Sequence, residues 1–307
     1  MKGWSVKKHR SPIMSRQMEK LSITIVNYNT KNYLRQCLLS LYRKKNPFHW
    51  ETIVVDNHSQ DGSLRMVREE FPQVRLIENS TNLGFARANN IGFGVARGEY
   101  ILLLNSDTKV MGDALEKLVS FLDSHYLAGV ATARLVYPDF SDQGVARTFP
   151  TPINALFGRR SLLTKLFPNN KYSRRYLVSH RHLSREPFEV DWASGACLMV
   201  RRKVIEDVGP LDEKFFMYWE DADLCFRIKQ KGWKVFCVPE AMIIHYEGKS
   251  GTKKASRHSI IEFNKSVYRY YRKHYIRSSF DIMNLVAVLG LSLRTLVLLG
   301  ISVIKGK

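Results

Sequence analysis

Cysteine is scarce and spaced without pattern. Cys37, Cys197, Cys225 and Cys237 lie far apart and form no metal-ligand pair. They read as reduced core residues, which places the chain in a reducing cytosol. The basic first 20 residues contain no apolar run, so they are expected to form an N-terminal arm or an interfacial segment and not a secretory signal. No G-x-G-x-x-G follows the first strand-like segment, which excludes the usual dinucleotide-binding unit. Acidic residues are also in short supply: 28 Asp and Glu stand against 48 Lys and Arg, a net charge of +20. Anionic partners follow from that imbalance, whether nucleic acid, an anionic membrane surface or phosphorylated substrates.

What remains is ample for a folded protein. The 307 residues are 45% hydrophobic, enough for one large α/β domain or two modest ones. Leu21 to Val26 is β-branched and apolar and stops in the Asn-rich turn Asn27-Tyr28-Asn29. Tyr33, Leu34, Cys37, Leu38 and Leu41 then recur at helical spacing within residues 31–44. A second strand, Glu51 to Val55, ends at Asp56, completing a βαβ unit. Helix 64–71, strand 74–78, a polar turn over residues 79–85 and helix 86–96 continue the alternation, and helix 114–122 and strand 128–135 close this half. Strand ends therefore carry Asn27, Asp56, Asn79 and Asn105, and in an open parallel sheet such ends line one ligand crevice. Residues 138–186 show no clear periodicity and predict long loops or short helices. Order returns in a strand over residues 188–200 interrupted by small residues, a helix over 202–208, and two short strands at 234–239 and 241–246.

Two stretches carry chemistry. Tyr100 to Leu104 is a buried-strand pattern that runs straight into Asn105-Ser106-Asp107. A carboxylate at that edge can hold Mg²⁺ or Mn²⁺, whose other face takes a diphosphate; alternatively, the polar turn simply caps the helix that follows. Phe215 to Trp219 precedes Glu220, Asp221 and Asp223. Carboxylates beside such apolar bulk suit a general base, although three acids also complement the positive end of a helix. His245 closes a strand, where it is either a further metal ligand beside Asp107 or a hydrogen-bonded structural residue.

The C-terminal part predicts a helix over residues 259–277 with Tyr268, Tyr270, Tyr271 and Tyr275 set among Lys and Arg. An apolar segment over residues 284–304 follows, broken by Arg294. It is long enough to span hydrocarbon, but a central Arg costs about 3 kcal/mol on insertion scales. An interfacial helix on anionic lipid fits better; a helix buried in a dimer is the alternative. Basic stretches interleaved with Tyr and His also suit nucleic acid. The charge, however, lies outside the motif-rich half and abuts the apolar tail, so no nucleic acid partner is expected.

The ordered motifs Thr24-Ile25-Val26-Asn27-Tyr28-Asn29, Val54-Val55-Asp56-Asn57, Asn82-Leu83-Gly84-Phe85 with Asn89, Leu104-Asn105-Ser106-Asp107, Ser194-Gly195-Ala196 and Glu220-Asp221-Ala222-Asp223 together resemble family 2 glycosyltransferases, closest to their bacterial rhamnosyltransferase-like branch. The resemblance covers residues 21–250. It implies a GT-A fold, a Rossmann-like, mostly parallel α/β sheet flanked by helices, in a domain over residues 21–252. Residues 1–20 would then be the basic arm and 253–307 a membrane-associating extension. It further implies that Asn27, Asn29, Asp56, Asn82, Gly84, Asn89, Asn105 and Gly195 border the nucleotide sugar, with Asp56 accepting from the pyrimidine N3–H. Asp107 and His245 would hold Mg²⁺ or Mn²⁺, with Asn105 standing where the family's first Asp would be. Asp221 would be the catalytic base of an inverting transfer, and Trp192 and Glu220 would face the acceptor. The implied donor is dTDP-L-rhamnose or a UDP-sugar, and the implied acceptor a saccharide or lipid-linked saccharide. The expected place is the cytoplasmic face of the plasma membrane, as a peripheral or monotopic protein with a possible homodimer. An inactive scaffold that keeps the fold is disfavoured by the intact Asp56, Asp107 and Asp221.

Overall fold

The computed structural model describes residues 19–43, 47–144, 146–149, 185–247, 257–278 and 280–304. The basic arm up to residue 18, most of the basic stretch from Arg159 to Arg185, and the loops or short helices expected within residues 150–184 lie outside the described residues. Strand β1 (Leu21–Asn27) is buried along nearly its whole length, as its unbroken apolar run requires of a central strand. Helix α1 (Lys31–Tyr42) returns the chain to β2 (Trp50–Asp56), and α2 (Ser63–Glu70) leads to β3 (Arg75–Glu78). Then follow α3 (Phe85–Val95), β4 (Tyr100–Asn105), the short β5 (Thr108–Val110), α4 (Ala114–Ser124) and β6 (Ala128–Val136).

The main sheet runs β3-β2-β1-β4 in parallel and then continues through β10 (Cys197–Arg201), β6, β11 (Lys234–His245) and β5. β10 is antiparallel to both β4 and β6, while β6 and β11 are parallel. In register, Asn27 stands beside Asp56, Val26 beside Asn105, and Asp56 beside Glu78. The polar strand ends therefore share one edge of the sheet, as the sequence pattern implied.

Both faces of the sheet are covered. Leu34 and Leu38 of α1, Met66 of α2 and Leu118 and Leu122 of α4 pack on one side. Ala86 and Phe93 of α3, Val204 of α5 (Arg202–Val208), and Leu224 and Ile228 of α6 (Glu220–Gln230) pack on the other. The layers are tight enough at α3 that a Cβ on Gly92 would stand 2.2 Å from Thr24 Cγ2 of β1.

Three details differ from the sequence reading. The strand expected over residues 188–200 is three: β8 (Phe188–Val190) on β11, β9 (Trp192–Ala193) paired with β7 (Ala146–Arg147), and β10 in the main sheet. Gly195 and its neighbours turn the chain between sheets where a single strand would have run through. Conversely, the two strands expected around Pro239 are one. Pro239 sits in β11 at an irregularity, where the pairing with β6 shifts register between Val238 and Met242. A proline that lacks an N–H donor is accommodated at such a break. Finally, β5 is too short to show a period.

Two C-terminal helices, α7 (Arg257–His274) and α8 (Ile282–Ile304), complete the chain. α7 is bolted to α6 through Asp223, which is fully buried. Its carboxylate accepts from Arg227 Nε at 2.9 Å, His274 Nε2 at 2.8 Å and Lys273 Nζ at 2.7 Å. Arg227 also donates to the carbonyls of Val208 and Pro210. Burial alone would raise the Asp223 pKa; the His274 and Lys273 hydrogen bonds and the Arg227 charge overcome it and bring the group down to about 2. A carboxylate depressed in the fold stabilises it above its unfolded pKa, near 3.9, and loses that contribution as pH falls toward 2. Asp223→Ala is therefore expected to cost about 3 kcal/mol at pH 7, because it removes a buried carboxylate that three side chains of α6 and α7 share. In thermal unfolding the gap to the wild type should shrink as pH falls from 4 toward 2. A gap independent of pH would contradict this account.

Candidate active site

The crevice at the carboxyl edge is a closed set of hydrogen bonds. Asn27 Nδ2 donates to Asp56 Oδ2 at 2.6 Å and to Ser59 Oγ at 3.0 Å, and the Ser59 N–H donates to Asp56 Oδ1 at 2.7 Å. Asp56 is almost wholly buried. Asn29 adopts φ +55°, its N–H donates to Ser59 Oγ, and its Oδ1 accepts from the Gln60 N–H. Asn57 Nδ2 donates to Gly84 O, and Asn79 Nδ2 to Asn57 Oδ1. The Asn82 side chain accepts the Gly84 N–H at 3.0 Å, turning the chain into α3. Gly84 has φ +83°, and a Cβ there would stand 2.4 Å from Phe216 O, so only glycine fits. Asn89 is buried, with its amide donating to Phe85 O inside α3.

The second group is brought together by β5. Because β5 runs antiparallel to the end of β11, Thr108 stands beside His245. His245 Nε2 then lies 3.3 Å from Asp107 Oδ1 and 3.3 Å from Asn105 Nδ2. Its ring is fixed by Gln143, a buried residue on the loop after β6. Gln143 Nε2 donates to the His245 carbonyl at 2.6 Å, and Gln143 Oε1 faces His245 Nδ1 at 2.9 Å. A carbonyl only accepts, so the amide nitrogen must face it, and the amide oxygen faces Nδ1. Nδ1 must then carry a proton, which leaves Nε2 directed at Asn105 and Asp107. Nε2 and Asp107 Oδ1, 3.3 Å apart, are both placed to hold a cation or a proton between them. Among the described residues no cluster of three or more His, Cys, Asp and Glu could hold a metal. Asp107 and His245 are two donors, which suits a divalent ion that takes its remaining oxygens from water and phosphate.

The third group precedes and opens α6. Tyr218 and Trp219 both have φ +72°, a conformation costing on the order of 1–3 kcal/mol each for non-glycine residues. The pair is held from α7. Ser266 Oγ donates to Met217 O at 3.0 Å, and Trp219 packs on Tyr270 and Tyr271 with ring centroids 5.1 and 6.0 Å away. This turn presents Asp221, whose carboxylate accepts the Gly195 N–H at 2.9 Å and the Ala222 N–H at 2.7 Å. Burial raises the Asp221 pKa, while those two N–H bonds and the charge of Arg147 pull against it; the net direction is up. Glu220 is buried too, and its Oε2 has no hydrogen-bond partner among the described residues. Burial first, then the neighbouring Asp221 charge, push its pKa well above the ordinary carboxylate value.

The sequence-predicted residues thus fall into three groups that meet at one sheet edge. Gly195 has a further part beside the one expected of it, since its N–H holds Asp221. Trp192 is buried, donates its indole N–H to Thr148 O and lies under the Arg147 guanidinium, 5.1 Å away. Gln143 and Arg147 join the site without any signal in the sequence. Both sit in or beside the aperiodic stretch after β6, and neither has a motif to mark it.

Gln143→Leu is expected to free the His245 ring and weaken Mn²⁺ binding about 10- to 100-fold, the usual effect of losing a partner that orients a metal-ligating histidine. Titration of Mn²⁺ followed by electron paramagnetic resonance checks it, and unchanged affinity would remove Gln143 from the site. For Glu220 the sign is opposite to that of Asp223. A carboxyl raised in the fold stabilises it fully below its unfolded pKa and loses that stability as pH rises through the folded one. Glu220→Gln should therefore gain thermal stability relative to wild type progressively as pH is raised from 4 to 8; a constant difference would contradict the burial account.

The profile of glycosyl transferase family 2 matches residues 22–209, more than half of the chain. The chain is 29% identical over 260 residues to an N-acetylglucosaminyl-diphospho-decaprenol L-rhamnosyltransferase of Mycobacterium tuberculosis, covering 81% of this chain and 82% of that one. It is 26% identical over 262 residues to a dTDP-rhamnosyl transferase, RfbF, of Shigella flexneri, covering 84% and 78%. Among solved structures, GalNAc-T7 with UDP, GalNAc and Mn²⁺ superposes with a TM-score of 0.59 at 16% identity. That match covers 84% of this chain but only 48% of GalNAc-T7, and it bears on the fold alone, which is GT-A. With the site's geometry and these relatives together, the chain is a glycosyltransferase and belongs to glycosyl transferase family 2.

Proposed function

We propose that the chain transfers L-rhamnose from dTDP-L-rhamnose, with inversion, to a saccharide or lipid-linked saccharide in the building of a cell-surface polysaccharide on the cytoplasmic face of the membrane. One observation carries the reading: Gly195 N–H holds the Asp221 carboxylate, and the next residue's carbonyl, Ala196 O, accepts the Asn105 N–H at 3.0 Å. Two consecutive residues thus tie the candidate base to the strand end that leads to Asp107. A base and a diphosphate-side carboxylate held in fixed relation are what displacement at an anomeric carbon needs.

In this reading Asp221 takes the proton of the acceptor hydroxyl, which attacks the anomeric carbon from the face opposite the nucleotide. The raised pKa keeps Asp221 basic enough to accept that proton, and its two N–H bonds fix the direction of its lone pairs. The Asn27–Asp56–Ser59 set would border the nucleotide. Asp107 and His245 would hold Mg²⁺ or Mn²⁺, which when bound supplies Lewis-acid stabilisation of the leaving diphosphate. The donor assignment is supported by the activities of the two rhamnosyltransferase relatives; a UDP-sugar is the alternative donor that the same site would admit.

Purified protein with Mn²⁺ or Mg²⁺ and a panel of nucleotide sugars should release free nucleoside diphosphate slowly from dTDP-L-rhamnose and faster with acceptor. Asp221→Asn should lower turnover about 10²- to 10⁴-fold while leaving nucleotide binding intact. Because the base must be ionised and burial raises its pKa, kcat/KM should fall with decreasing pH, beginning above the range of an ordinary Asp. Turnover of a UDP-sugar alone would change the donor, and binding of no nucleotide sugar would sink the reading.

A further inference from the structure

α8 leaves most of its surface uncovered. It is 23 residues long, about 34 Å at the helical rise, and no residue of its apolar stretch from Ile282 to Gly300 is fully buried within the protein. One seam faces α7, where Ala287 and Leu291 pack beside Val267 and Tyr271. On the other side Leu285, Leu289, Leu293 and Leu296 form a stripe, each 53–68% exposed, and Phe280 at its foot is 99% exposed. A stripe of that size on a folded protein marks a docking surface.

The seam fixes how α8 can be used. Tyr268 Oη of α7 donates to Asn284 Oδ1 at 2.9 Å, near the start of α8. Three turns on, Arg294 donates to Asn264 Oδ1 and lies over the Phe263 ring, 5.0 Å from its centre. The one charge within α8 is thus turned onto α7 and away from the leucine stripe. α7 in turn cannot leave the domain, because its other side holds Asp223 through Lys273 and His274 and supports Trp219 through Tyr270. Spanning a bilayer would strip α8 from both anchors and carry Arg294 to the hydrocarbon midplane.

We infer that α8 is an in-plane membrane helix. The α7–α8 hairpin lays its leucine stripe and Phe280 into the headgroup–acyl boundary of an anionic bilayer, without crossing it. Charge selects the occupant. Residues 253–277 hold eight Lys and Arg against a single Glu; Lys265 pairs with Glu262 and Lys273 with Asp212 and Asp223, while Arg277 is exposed shortly before Phe280. A basic flank beside an aromatic and an apolar stripe fits anionic headgroups above acyl chains, whereas a second copy of the chain would bring the same positive charge against itself. The anchored α7 also carries the support of the Tyr218–Trp219 turn, so docking would set the crevice at a fixed height above the lipid. That consequence rests on the transferase reading; the docking itself does not.

The test is co-flotation of the full chain, without donor, on vesicles with and without phosphatidylglycerol. Wild type should float with the anionic vesicles and release as salt rises. Leu289→Glu with Leu293→Glu should lose binding at least about 10-fold while keeping its circular dichroism, and Phe280→Ser, a milder change, should lose part of it. Orientation is read with Lys307→Cys on sealed vesicles and an impermeant maleimide, since the four native cysteines are buried. Labelling from outside supports the in-plane helix, and protection that detergent abolishes would show a span and overturn it. Failure of wild type to float, equal binding by the double glutamate variant, or a lipid-independent dimer that this variant dissociates would each overturn it as well. Donor release in solution, measured separately, tells such a failure apart from failure of the transferase reading.

Discussion

The structure depends on the antiparallel seam between β4 and β10. β4 belongs to the parallel series β3-β2-β1-β4 that carries Asn27, Asp56 and Asn105 to one edge, and β10 enters beside it from the opposite direction. An antiparallel neighbour brings its beginning to the place where a parallel strand has its end. The turn before β10 therefore lies at the crevice, and the Gly195 N–H becomes available to a side chain there. Were β10 parallel, residues 194–196 would sit at the far edge of the sheet, and Asp221 would have no backbone donor beside Asn105.

A second antiparallel device repeats the logic one step away. Three residues of β5 suffice to reverse the chain after Asp107 and align it with the end of β11, which delivers His245. Gln143 then completes the arrangement by holding both ends of that histidine, its carbonyl and its ring. Parallel strands supply the crevice, and short antiparallel insertions supply the residues that converge on it.

This division explains which parts of the site are legible in the amino-acid pattern. The parallel strands are long, apolar and flanked by helices of clear period, so the residues at their ends read as a crevice from the chain alone. Asp107 and Asp221 stand out because each follows an apolar run that needs an explanation for its carboxylate. The β5, β7 and β9 strands are two or three residues long, too short for any period, and residues near them that belong to no motif stay hidden. Gln143 and Arg147 are of this kind, since their positions follow from pairing across the chain and not from local pattern. Pro239 misleads in the other direction. Local propensity breaks a strand there, whereas the pairing with β6 bridges the break by slipping register.

The three acids of α6 show how one helix turn serves opposed ends. Asp223 accepts from Arg227, Lys273 and His274 and is held ionised, while burial pushes Glu220 and Asp221 toward protonation. The first arrangement stabilises the fold at neutral pH, and the second destabilises it, together with the left-handed Tyr218–Trp219 pair. Both lie within a single turn of the same backbone, so the clamp on Asp223 and the packing of α7 bear directly on the strained turn beside it. Buried carboxylates beside a left-handed turn are not stable by themselves, and here their support comes from a C-terminal helix outside the span matched by the family profile. The support and the strained turn that carries Asp221 are then a single mechanical unit. Anything that grips α7 from outside meets, through Ser266 and Tyr270, the turn that presents Asp221.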